Sequence, residues 1–515
     1  MRRARLVTAL GICLFVAAVY IAAGPGRIDI IDGQYRFEVA RNLVEDYSIQ
    51  LRDMFLGNTI DGVLGAYSPY GVSGSLTGVP LIVLADLIGA PSMDRRMFFF
   101  SFTSGVLGAL TAAVLFLFLT ELSVPPRRAL GWTLVASFAT LAFPVATSTF
   151  DQTQHGFFVL CACLGAYLSA RRDSNGWAVM SGASLAFLVN FQITYVILIP
   201  AIAVAALAAP GASAQERRRG FERAALVAFG GAAGVLVWAG INKFRFDTFV
   251  GGVQMNVRHP PARGNPFIGL PALLVSPGKS LFLYSPPTIA AVIGLVRLFT
   301  RERRLVQAIA ATCLVYLAMI SSLTFYGGDW CWGPRYFASV LPIVALGFGF
   351  LDVTRRGMRV LIPTLVVLGL FVQTLALSLD HHRFFYGNNL PTFFWYQQPA
   401  YYFSHSALLE RPAEIAESLR IGVPPEASEF RPGPYPAFKS YAVFGGWGHP
   451  ELPPPAWMRY YQVFWLPRPW PLWLPQVSGP KPVTMPRALI VVSAIALAGL
   501  FCMAAARRAE PGTSS

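Results

Sequence analysis

Apolar runs of roughly 16–24 residues recur along this chain, each long enough to cross about 30 Å of hydrocarbon as a helix. The first, 6–23, follows a basic start and is longer than the core of a removable leader. Ala22-Ala23-Gly24 has the small residues of a cleavage site, but the many later runs favour an uncleaved first span. The others fall at about 97–120, 129–148, 154–170, 177–190, 192–209, 223–241, 283–299, 305–324, 336–353, 360–378 and 487–505. The pattern predicts an all-α polytopic membrane protein with about twelve transmembrane helices.

One further run, 76–88, is settled by parity. Arginines collect beside the apolar runs, as at Arg127/Arg128, Arg171/Arg172, Arg217/Arg218/Arg219, Arg303/Arg304 and Arg355/Arg356. Cytoplasmic loops carry such clusters. If 76–88 crossed, every later cluster would fall outside; if it stays at the outer interface or re-enters, all fall inside. The second option puts both termini in the cytoplasm of a bacterial inner membrane. It leaves outer segments at 24–96, 242–282, 325–335 and 380–486. The chain then divides into a transmembrane catalytic module (1–378), an aromatic and Pro-rich outer segment (379–486), and a last span with its tail (487–515).

In the first outer loop, 34–47 places Tyr35, Val39 and Leu43 beside Phe37, Ala40, Val44 and Tyr47 at helical spacing. Arg36, Arg41 and Glu45 take other positions, which predicts an amphipathic helix at the membrane interface.

Composition agrees with the class: of 515 residues 55% are hydrophobic and 13% charged, with a mean hydropathy of +0.52. Average soluble proteins are about a quarter charged. The net charge of +15 lies in the loop clusters and therefore reports topology, not a nucleic-acid partner. Five of the six cysteines fall in predicted spans and only Cys331 in an outer loop, so no disulfide is expected outside, and no Cys or His spacing suggests zinc.

The outer segments carry the acids and bases that could do chemistry. Moving a sugar from a lipid phosphate needs a base for the acceptor hydroxyl and cations for the leaving phosphate. Asp32, just past the first span, is the candidate base and Asp29 the second candidate; Asp32 could equally cap the helix that follows. Lys279, in Ser276-Pro277-Gly278-Lys279, and Arg335, in Gly333-Pro334-Arg335-Tyr336, could hold phosphate, or could reach to lipid headgroups. Tyr336, Tyr70, Asp151 and Arg258 complete the substrate-binding candidates. Gly278-Lys279-Ser280 ends like a P-loop, but position 273 is Leu where a glycine is required, so no nucleotide site is expected.

Asp32-Gly33-Gln34-Tyr35 with Glu38-Val39-Ala40 resembles the first-loop acidic motif of the GT-C glycosyltransferase superfamily. The branch it is similar to contains the protein O-mannosyltransferases and aminoarabinose transferases. Tyr67, Pro69 and Gly71, then Asp151 between the third and fourth spans, follow in the same order over roughly residues 1–380. The resemblance implies a polyprenyl-phosphate sugar donor, inverting transfer to an envelope glycan, lipid or protein at the outer membrane face, and Asp32 as base. Lys279 and Arg335 would stabilise the phosphate. Members often have a second acid where this chain has Gly33, which removes support for a divalent metal; no other cofactor is implied. The competing readings are a twelve-span transporter or flippase and a non-catalytic envelope-assembly protein.

Overall fold

The computed structural model describes residues 2–24, 26, 28–51, 60–209, 211–251, 264–328, 331–379, 381, 384, 401–421 and 485–508. Helices α1 (Arg2–Ala23), α2 (Ile31–Asp46), α3 (Ser73–Ile88), α4 (Met93–Phe100) and α5 (Thr103–Glu121) build the first part, with a short hairpin, β1 (Ile60–Gly62) and β2 (Gly65–Tyr67), between α2 and α3. The chain continues through α6 (Pro126–Phe138), α7 (Ala142–Ala146), α8 (Gln152–Arg171), α9 (Asn175–Val189) and α10 (Leu198–Ala203) to α11 (Ala214–Phe246). After it come α12 (Pro266–Val275), α13 (Leu281–Tyr284), α14 (Pro287–Arg301), α15 (Arg303–Ser321), α16 (Leu341–Val344) and α17 (Arg356–Ser378). Helices also form at Tyr401–Ser404, Ala407–Ile421 and Met485–Arg508.

Among the described residues six helices are long and apolar enough to cross a membrane: Arg3–Ala23, Arg95–Glu121, Ala214–Phe246, Arg303–Ser321, Arg356–Ser378 and Leu489–Ala506. Of the other predicted spans, 154–170 falls on the unbroken 20-residue α8 and the rest on shorter or broken helices. The run 129–148 is divided between α6 and α7. The run 336–353 mixes α16 with two 3-10 turns, Arg335–Ser339 and Ala345–Phe350. Prolines account for some breaks, because Pro342 opens α16 and lacks the N–H that would continue a preceding helix. A 3-10 turn rises about 2.0 Å per residue against 1.5 Å in an α-helix, so such stretches cover depth with fewer residues. By length and composition alone six helices among the described residues qualify, which leaves the expected count of about twelve unconfirmed.

Helix α2 departs from expectation. Three of its charges do not face water, Arg36 being 3% exposed, Glu38 5% and Arg41 6%, whereas Glu45 and Asp46 at its C-terminal end are exposed. The hairpin, α3 and α4 enclose it, and the charges are paired within that wrapping. Arg41 meets Glu38 at 2.8 Å, Gln34 donates to Glu38 at 2.8 Å, and Arg96 of α4 bridges Glu45 to Asp86 of α3. Helical spacing marks the two apolar faces except at Tyr47, which is the left-handed C-cap and is 92% exposed, and it carries no information on what covers the polar face. The run 76–88 becomes α3, which keeps Leu87 and Ile88 exposed at its end while Asp86 anchors it to Arg96 through two oxygens at 2.8 and 2.9 Å.

Helix α11 begins with a capping box in which Ser213 and Glu216 satisfy each other's backbone N–H groups. Its 33 residues span about 50 Å, more than a bilayer core requires. The sequence reading ends the span at 241; the helix runs on to Phe246, and the extra turn carries buried Asn242 and Arg245.

The last helix, Met485–Arg508, packs along α1. A Cβ added at Gly499 would lie 2.7 Å from the Gly11 carbonyl and 2.7 Å from the Phe15 amide nitrogen, so the two backbones touch. Gly499→Leu is expected to cost about 1–3 kcal/mol through overpacking, read as a lower melting temperature in detergent. An unchanged melting curve would remove this contact from the fold's stability.

Candidate active site

The site is built where the N-terminus of α2 meets the turn before α8. Asp29, 2% exposed, accepts from the Thr149 amide at 2.8 Å and from the Thr149 hydroxyl. Gly33 presses on the same threonine: a Cβ there would lie 2.4 Å from the Thr149 oxygen. A side chain at position 33 would have to displace Thr149, which Asp29 holds in place.

Asp32 lies in the first turn of α2, where the helix dipole favours a carboxylate. It does not cap the helix, since the N-cap is Ile30 and no side chain bonds there. Asp32 is half-buried and accepts from the Tyr70 hydroxyl at 2.6 Å. Burial, together with the Asp32 carboxylate beside it, pushes the Tyr70 phenol well above its ordinary pKa, so it remains a donor. The Tyr70 turn is fixed from α11: Arg245 donates to the Ser68 and Tyr70 carbonyls, each at 3.1 Å, and to the Asn242 side chain at 2.8 Å. Gly71 packs so closely that a Cβ would lie 2.0 Å from the Asn190 carbonyl.

Arg36 connects this acid turn to the next. Its guanidinium lies 5.0 Å from the Tyr70 ring centre and binds Asp151 at 2.7 Å. Burial acts to raise the Asp151 pKa, but Arg36, His155 and Arg335 outweigh it and hold the carboxyl below its usual range. Gln152 then relays the contact, donating to Asp151 at 2.8 Å and accepting from Arg335 at 3.1 Å.

Arg335 is 3% exposed, lies 3.6 Å from the Phe150 ring centre and donates to the Gly328 carbonyl at 2.7 Å. Gly328, at φ +78°, leaves room for its side chain, since a Cβ would lie 2.9 Å from the Arg335 Cγ. Tyr336 adjoins the guanidinium, its ring centre 5.1 Å away. Lys279 is 1% exposed and donates to the Cys331 and Gly333 carbonyls at 2.9 and 3.0 Å. Neither cation reaches outward to headgroups. Arg335 faces a cleft, whereas Lys279 ties down the turn on which Arg335 stands.

That cleft has about 400 Å³ of empty space, including its open mouth. Asp29, Ser148, Cys331, Arg335 and His381 form its polar wall, and Val145, Phe150 and Leu377 contribute apolar surface. Of the residues singled out from sequence, Asp29, Asp32, Tyr70, Asp151, Arg335 and Tyr336 come together. Lys279 sits behind the Arg335 turn, and Arg258 lies outside the described residues. Sequence reasoning missed Arg36, Thr149, Gln152 and Arg245, and gave His381 no role. An arginine one helical turn past Asp32 was the available signal for Arg36; nothing local marks the others. No group of three or more His, Cys, Asp or Glu suited to a metal occurs among the described residues.

No protein-family model matches the chain, and no curated protein matches it. Among solved structures it is similar to ArnT from Cupriavidus metallidurans bound to undecaprenyl phosphate, with 15% identity, a TM-score of 0.48, and 87% of this chain and 76% of that chain covered. The apo state of that protein gives 13% identity, a TM-score of 0.47 and coverages of 87% and 75%. The Archaeoglobus fulgidus oligosaccharyltransferase complex with Zn and sulfate gives 13%, 0.39, 82% and 57%.

Proposed function

We propose that this chain is a GT-C-type membrane glycosyltransferase that moves a sugar from a polyprenyl phosphate to an envelope acceptor at the outer face of a bacterial inner membrane. The observation that carries the reading is one continuous polar array, from half-buried Asp32 through Tyr70, Arg36, Asp151 and Gln152 to buried Arg335 at a cleft with an apolar wall. An acid and a cation so connected suit transfer between a hydroxyl and a phosphate ester. A transporter would need neither an acid at the outer edge nor a cleft arginine linked to it through a buried polar array.

In this mechanism Asp32 takes the proton from the acceptor hydroxyl as that oxygen bonds to the anomeric carbon. The bond from that carbon to the phosphate oxygen breaks, and Arg335 in the cleft balances the charge left on the phosphate. Asp32 is preferred to Asp29 as base because it is more accessible, whereas Asp29 holds Thr149 and so the turn carrying Asp151 and Gln152. Lys279 acts through the Cys331–Gly333 backbone on the placement of Arg335. The described helices are compatible with about twelve crossings if the short and broken ones also traverse the bilayer.

The test is transfer of labelled sugar by purified protein from a panel of polyprenyl-phosphate donors, with membrane extract supplying the acceptor. Turnover is expected for wild type, and Arg335→Ala should lower it by about 10²-fold. Wild-type turnover that Arg335→Ala leaves unchanged removes Arg335 from the site. No turnover with any donor rejects the glycosyltransferase reading.

A further inference from the structure

Below the site, a second buried polar group joins the two halves of the array from behind. The Tyr195 hydroxyl lies 2.7 Å from His155 Nδ1, 3.0 Å from the Ser339 hydroxyl and 3.3 Å from the Tyr316 hydroxyl. Tyr316 in turn donates to the Tyr336 carbonyl at 3.2 Å. His155, Tyr195, Tyr316 and Ser339 are each at most 2% exposed.

His155 Nε2 faces the Asp151 carboxylate at 3.3 Å while its Nδ1 meets the Tyr195 hydroxyl at 2.7 Å. One end of this chain therefore holds Asp151, which binds Arg36. The other end holds the 3-10 turn Arg335–Ser339 that carries the cleft arginine. Packing leaves little slack between them: a Cβ on Gly156 would lie 2.6 Å from the Ala338 carbonyl, and the Tyr195 and Tyr316 rings stack at 5.8 Å.

We infer that Tyr195 is a positioning residue whose hydroxyl sets the Arg335 turn against the Asp151–Arg36 side of the site. The kinetic part of this inference rests on the glycosyltransferase reading; the physical coupling does not. In a water-poor interior, removing the one hydroxyl leaves His155 Nδ1 and Ser339 without their shared partner. A small misplacement of reacting groups then reduces turnover far more than ground-state binding.

Tyr195→Phe keeps the ring and deletes the hydroxyl, and Ser339→Ala removes one arm of the node. In both variants, amide hydrogen exchange is expected to rise together in 148–155 and 333–339 and to stay unchanged in α1. In transfer assays, Tyr195→Phe should lower kcat about tenfold with the donor KM within about twofold. Its effect should disappear in an Arg335→Ala background, because the residue acts through Arg335. Exchange that rises in one segment only, or in neither, overturns the coupling. An equal loss in both backgrounds overturns the positioning role in favour of a general structural one. Failure of wild type with every donor rejects the transfer reading alone, and the exchange result still decides the node.

Discussion

Asp32→Asn is expected to lower sugar transfer by about 10³-fold, the scale of a lost general base, while melting stays near wild type. The amide can still accept from the Tyr70 hydroxyl at the same oxygen, so the turn should hold. The informative partner is Asp29→Asn. Asp29 accepts both of its Thr149 bonds through Oδ1, and an amide oxygen can do the same. That variant should remain within about tenfold of wild type. The measurement is initial transfer rate at saturating donor for both variants, with melting curves in parallel. If Asp29→Asn is the inactive one, the base is Asp29 and Asp32 serves to orient Tyr70.

Arg36→Ala is expected to have the largest effect on stability, about 3–5 kcal/mol, because it breaks the 2.7 Å ion pair that does most to balance the buried Asp151 carboxylate. The sign of its pH dependence follows from Asp151. Burial raises the pKa of that group, yet Arg36, His155 and Arg335 together hold it below the usual carboxylate range. A depressed carboxyl contributes stability that is complete above about pH 4 and is lost as the pH falls below that value. Wild-type melting should therefore drop on acidification below pH 4, and Arg36→Ala should lose most of that slope. Adding Asp151→Asn to Arg36→Ala removes the poorly balanced charge and should recover part of the melting temperature without recovering transfer. A double variant no more stable than Arg36→Ala would mean that the pair is not what holds these two turns together.

Much of the candidate site was legible because its residues are chemically conspicuous where they occur. Asp29 and Asp32 are acids just past an apolar run, Asp151 is an acid at a turn between two more, and Arg335 follows a glycine-rich stretch. What stayed hidden is the partner of each. Thr149 lies 120 residues from Asp29, and Arg245 lies 175 residues from the Tyr70 carbonyl it holds. Spacing along a chain reports neighbours at one helical turn and nothing at those separations. Lys279 shows the same limit from the other side: a lysine at a span end reads as a phosphate or headgroup ligand, and only folding turns it onto two backbone carbonyls.

By itself the sequence determined that the chain is helical and built for a membrane, where the acidic loop begins, and that its acids and arginines lie at span ends. Those are consequences of local hydropathy and charge, which act over one helix at a time. The tertiary structure alone decided that α2 is wrapped on its polar side, that several predicted spans are short or broken, and which acid meets which cation. Burial of a charge is tolerable only beside its partner, and that partner is supplied by a distant element whose approach depends on how all the helices pack.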